Sequence, residues 1–205
     1  GDPDLSTLVP NRMFKNVAGR RFADITASSG TGHLQKGHGI AFADLDQDGD
    51  QDIVLNAGGA VPGDRYDDAL FENPGTPGQH WVELRLIGVR SNRAAIGAKI
   101  RVTLPAQAGS KDTSPGARLR YREVSSGGSF GSNSYTQHVG LGRAAGIETI
   151  EIDWPASKTK QVFRNPPIDT LLEIAEDAQA PVVRPRKPFK LGRPDGAVAP
   201  AAHQH

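Results

Sequence analysis

The chain has 205 residues and a formal net charge of +1, enough for one ordinary domain or two small ones and without a global pull toward nucleic acid or an anionic membrane. It contains no cysteine, which excludes disulfides, thiolate metal sites and cysteine nucleophiles. No apolar run approaches the length needed to cross a bilayer.

The chain opens at Gly1 rather than Met, with no charged-then-apolar leader. That is expected of a mature or trimmed product whose targeting signal is out of view. Glycine (24) and proline (15) are abundant, and short apolar runs recur between turn-forming clusters. This pattern predicts an all-β fold of many short strands. The first runs are Met13–Phe14 and Arg21–Ile25, separated by Gly19. Gly37–Ala43 reads as a strand entering an acidic loop, and Asp52–Asn56 as the strand leaving it. Ala69–Phe71 is a further brief strand, and the turn-rich stretch Asn73–Gly78 marks a domain boundary.

Beyond it, Trp81–Leu86 alternates with period two, the mark of a half-buried strand. Further strands are expected at Ala98–Val102, Leu119–Val124, Thr136–Val139, Glu148–Trp154, Gln161–Phe163 and Thr170–Ile174, with a solvated loop over Gln107–Gly116. Seven strands in about 95 residues suit a small sandwich. From Ala178 onward the chain is Pro- and Ala-rich and basic, and alone should be extended or disordered. The expected organisation is therefore a β region carrying the acidic loop over 1–75, a β-sandwich over 76–176 and an extended tail over 177–205.

Charge is uneven along this plan. Nine acidic residues between Asp44 and Glu72 face Arg65 alone, a net of −8; from Pro181 to His205 five basic residues face Asp195, a net of +4. The acidic segment centres on Asp44–Leu45–Asp46–Gln47–Asp48–Gly49–Asp50–Gln51–Asp52. Calcium takes about six to eight oxygen ligands in flexible geometry, which alternating aspartates on a tight loop supply. Asp44, Asp46 and Asp48 hold positions 1, 3 and 5. Gly49 permits the sharp turn at position 6. Asp50 offers its backbone carbonyl at position 7, and Asp52 closes the set at position 9. An EF-hand needs Glu at position 12, where this chain has Leu55, and strand-like runs flank the loop, so a β-hairpin is expected. Magnesium, which tolerates all-protein cages poorly, is disfavoured.

Phe22–Thr26 followed by Gly37–Ile53 resembles an FG-GAP/VCBS repeat, the calcium-bearing blade unit of integrin-type propellers. The following region is similar to the ASPIC/UnbV domain that ends cartilage-acidic-protein-like secreted proteins. The residues that carry this are His80–Leu84, Ser91–Ala98, Ser125–Phe130, His138–Gly142 and Ile150–Pro155. The resemblance spans about residues 11–175. It implies a secreted, calcium-binding interaction module without a catalytic role, with Asp44, Asp46, Asp48, Asp50 and Asp52 as calcium residues. It also implies an incomplete propeller, since closure takes about four or more blades and this chain holds about one. The expected partners are proteins or glycans at the cell exterior, and other copies or the rest of a propeller, with no nucleic acid and no membrane span. The alternatives are a carbohydrate-binding module and the non-catalytic C-terminal part of a larger secreted protein or enzyme.

Other candidates carry less. Gly127–Gly131 matches the G-x-S-x-G nucleophile elbow around Ser129, but the elbow needs a following helix and a distant downstream His. Neither Gly131–Ser134 nor His138 supplies these, so a glycine-rich turn is expected. His33 and His38 suit a turn or surface role better than a transition metal. His203 and His205 could bind metal adventitiously in the tail. Asp64, Asp67, Asp68 and Glu72 are spaced too irregularly to favour a second calcium site over a solvated loop. Trp81 and Trp154 are expected in the core.

Overall fold

The computed structural model describes residues 11–17, 19–33, 37–58, 67–106, 118–128 and 132–192. The expected loop over Gln107–Gly116, and Ser129, Asp64, His203 and His205, lie outside these residues. Among those described there is no helix long and apolar enough to cross a membrane, and the regular structure is β throughout. The all-β expectation holds.

The N-terminal part forms two small sheets. Strands β1 (Phe14–Val17) and β2 (Arg21–Asp24) make an antiparallel hairpin. Strands β3 (Gly37–Ala43), β4 (Asp52–Ala57) and β5 (Ala69–Phe71) make a three-stranded antiparallel sheet in that order. The Ala43–Asp52 pair closes the β3–β4 hairpin, so the acidic loop is its connection. Leu55 and Ala57 are buried here, whereas Ile40, Val54 and Leu70 stay exposed. The sheet is thus apolar on both faces, because residues opposite and alternate along paired strands share a side.

The second part is a sandwich of two four-stranded sheets. One is β13 (Val182–Arg184), β12 (Leu171–Ala175), β6 (His80–Ile87) and β9 (Gln137–Gly142), in that order. The other is β11 (Thr159–Arg164), β10 (Thr149–Trp154), β7 (Lys99–Thr103) and β8 (Leu119–Glu123). Strand β12 runs parallel to β6, and the other ladders are antiparallel. Period-two patterning drives the packing. Val82, Leu84 and Leu86 of β6 meet Ile100, Val102, Ile150, Ile152 and Trp154 in one continuous core. Burying side chains of this size contributes about 1.5–3 kcal/mol each. Trp154 is core, as expected, and its indole N–H donates to Gln161 Oε1 at 2.6 Å. Trp81 is not: the alternation that points Val82 inward points Trp81 outward.

The chain beyond Ala178 is not a free tail over its described part. β13 adds to the edge of β12, pairing Val183 with Leu172, and Arg184 forms an ion pair with Glu173. The β-branched pair Val182–Val183 suits this edge position.

One buried carboxylate ties the sandwich end together. Glu176, 3% exposed, accepts from the N–H groups of Val89, Arg90 and Ser91 at 2.8–2.9 Å and from Ser91 Oγ at 3.0 Å. Burial alone would raise its pKa. The Ser157 side chain and these N–H donors outweigh that and bring it down from 4.5 to about 2. A carboxylate held below its unfolded value stabilises the fold above that value, and the contribution fades as pH falls through the folded one. Glu176→Gln should therefore cost about 1–3 kcal/mol at neutral pH. The difference from the parent should shrink between pH 4.5 and about 2, as urea unfolding at a series of pH values would measure.

Candidate metal centre

The β3–β4 connection coils through local side-chain-to-backbone bonds. Asp44 Oδ2 accepts from Gly49 N at 3.2 Å, Asp46 Oδ1 from Asp48 N at 3.3 Å, and Asp48 Oδ1 from Asp50 N at 2.9 Å. Gln47 (φ 63°) and Gly49 (φ 100°) take the left-handed conformations the coil requires. The carboxylates of Asp44, Asp46 and Asp48 consequently converge, with one oxygen from each within 4.8 Å of the others. Among the described residues no other group of three His, Asp or Glu side chains does so.

The two remaining sequence-predicted residues sit differently. Asp52, 1% exposed, accepts from Leu45 N at 3.0 Å through Oδ2 and from Asn73 N at 2.9 Å through Oδ1. It pins the loop's ends to the chain leaving β5. Asp50 is held above the usual carboxylate range, by burial first and by the neighbouring Asp48 second.

The loop is electrostatically loaded. Asp46 is 5% exposed. Asp44 Oδ1 is buried with no hydrogen-bond partner. Burial first, and the nearby Glu83 second, push the Asp44 pKa up to about 6. Burial and then neighbouring carboxylates also raise Asp46. Buried, like-charged carboxylates disfavour joint ionisation unless a cation joins them.

Three supports from distant sequence hold the loop, and local spacing gave no sign of them. Trp81 and His138, on the outer face of β6 and β9, stack with ring centroids 6.0 Å apart. His138 Nε2 lies 2.7 Å from the Gly49 carbonyl, and a Cβ at Gly49 would overlap the Trp81 indole. From the C-terminal segment, Phe189 N donates to the Asp46 carbonyl at 2.9 Å.

The other candidates stay apart from this centre. His33 packs edge-on against Phe71, and His38 lines a mixed pocket with Asn11, Arg12, Ile40 and Leu55. Asp68 Oδ1 brackets β4, accepting from Ala57 N and Asn56 Nδ2.

Gly49→Ala should strain the left-handed turn and clash with Trp81, lowering stability by about 1–3 kcal/mol. Gly146→Ala, whose Cβ would meet open space, is the control; denaturant unfolding of the two variants checks this.

No curated protein matches the chain. The stretch from Gly88 to Pro181, which carries β7 to β12 of the sandwich but neither the aspartate loop nor β6, is similar to a known family: residues 88–181 match the model described as ASPIC and UnbV.

Proposed function

We propose that this chain is a calcium-braced, non-catalytic structural or adhesion module of the cell exterior. The observation that carries the reading is the convergence of Asp44, Asp46 and Asp48 within 4.8 Å. Two details fit a hard cation: Asp46 is buried, and Asp44 Oδ1 is buried without a protein partner. Asp44, Asp46 and Asp48 would hold the ion, with Asp50 and Asp52 completing its surroundings as the FG-GAP/VCBS resemblance implies. An ion there supplies charge neutralisation and a rigid template. The similarity to ASPIC and UnbV over residues 88–181 fits the resemblance's implication of a module that binds rather than reacts.

The three-stranded sheet supports a partner role. Ile40 is 49%, Leu70 50%, Val54 37% and Phe42 36% exposed. Side chains of this kind on both faces of one sheet call for cover, which other copies or the rest of a propeller would provide. A second reading, glycan binding, is favoured by one feature. A cleft of about 340 Å³ beside the loop is lined by Phe42, Gln51, Glu83, Arg122, Asn133 and His138 among others, a mixture of aromatic rings with amides and charges that suits a sugar. Glycan-array binding that Asn133→Ala abolishes would establish it; an array without hits would remove it.

Calcium at about a hundredfold over its dissociation constant should add about 2.7 kcal/mol, which raises the Tm by roughly 5–10 °C for a chain of this size. EDTA should reverse the rise, and Asp46→Asn should abolish it. An unchanged Tm at saturating calcium would sink the proposal.

A further inference from the structure

We propose that residues 185–190 form a strap latched onto the aspartate loop, so that cation binding and docking of this C-terminal segment reinforce each other. The inference rests on the calcium reading above and adds to it a built-in partner for the loop.

The strap leaves β13 and crosses the outer face of β6. Arg186 reaches Glu83 with both Nε, at 2.7 Å, and Nη2. Glu83 occupies an outward position of β6, yet is only 5% exposed, because the strap and loop cover it. It also lies close enough to Asp44 to repel its charge, while Arg186 attracts it. Lifting Arg186 away would leave a buried carboxylate unpaired beside a second one, a costly arrangement. Three residues on, the strap makes its second contact, from Phe189 N to the Asp46 carbonyl. Pro188 has no N–H, and its ring fixes the local backbone, so the Phe189 amide is the donor presented to the loop. The Phe189 ring is 51% exposed. The latch is therefore the amide rather than the ring.

Asp46 joins the two events. Its carbonyl faces the strap, while its carboxylate belongs to the converging triad. An ion that fixes the Asp46 carboxylate also fixes the carbonyl that the strap grips. By linkage, the strap must then favour the ion by the same factor. The acidic loop thus finds its basic counterpart within its own chain: Arg186 neutralises Glu83 beside the loop.

The experiment uses the full chain and calcium chloride. Isothermal titration measures calcium affinity for the parent, Phe189→Pro and Phe189→Ala. Phe189→Pro deletes the N–H, and Phe189→Ala removes the ring but keeps it. Trypsin cleavage after Arg186 and Lys190 is followed by mass spectrometry with calcium and with EDTA. The expected result is slower cleavage at both bonds with calcium, a loss of about two- to tenfold in affinity for Phe189→Pro, and an affinity close to the parent for Phe189→Ala. Calcium binding of equal affinity in the parent and Phe189→Pro, with cleavage indifferent to calcium, would overturn the strap and leave the calcium site standing. Equal losses in both variants would overturn the amide latch. No calcium binding by the parent would overturn both readings.

Discussion

Everything in the N-terminal half depends on how five aspartates in nine residues are accommodated at the tip of one hairpin. Mutual repulsion favours opening the loop, and three things oppose it. Backbone N–H groups inside the loop solvate Asp44, Asp46 and Asp48. Asp52 ties the loop's start to the chain after β5. The outer face of the sandwich supplies His138 and Trp81 as a backing. The loop is therefore a joint between two sheet systems rather than a projection into solvent. Its acidity matters most where water is excluded, at Asp46 and at the unpartnered oxygen of Asp44.

The two halves differ in how they are stabilised. The residues of the continuous core come from 82 to 174. Among the described apolar residues the three-stranded sheet buries only Leu55 and Ala57, while Phe14 and Phe22 of the β1–β2 hairpin are 54% and 71% exposed. A sheet of three short strands with so little buried surface is marginal by itself. It borrows order from the sandwich through the loop. That gives the proposed ion a structural purpose, since the loop is where the poorly covered sheet meets the well-packed one.

Much of this was legible in the sequence, and the rest was not for definable reasons. Strand positions followed from period-two alternation and turn residues, because both are local. The convergence of positions 1, 3 and 5 also followed, since a nine-residue coil fixes it. The loop's supports did not. Trp81, His138 and Phe189 lie far along the chain from Gly49 and Asp46, and no spacing rule links them. The ion pair between Arg186 and Glu83 spans 103 residues. The face of Trp81 is itself encoded: once Val82, Leu84 and Leu86 are placed inward, the same alternation sends Trp81 outward. Size and hydrophobicity pointed to the core, but parity decided the face. After Ala178 the Pro- and Ala-rich, basic composition masks Val182 and Val183 as a strand able to cap the edge of β12.

Hairpin geometry also limits what ligand binding at the loop can do. In a helical calcium motif, the ion changes the angle between two helices that are free to swing. Here β3 and β4 leave the loop already paired, from Ala43–Asp52 onward, and Asp52 is bonded through both oxygens. The strands cannot reorient without breaking their ladder. Occupancy would then change the rigidity of the loop and the hold on whatever grips its backbone, not the shape of the hairpin. Besides Asn73 Nδ2 on the Gln51 carbonyl, two grips on loop carbonyls come from the far sandwich half of the chain, His138 on Gly49 and Phe189 on Asp46. The first belongs to a packed strand and has little freedom. The second belongs to a segment beyond the last strand, attached by one backbone bond and one ion pair. Any response of the molecule to the proposed ion should therefore appear in the C-terminal segment first.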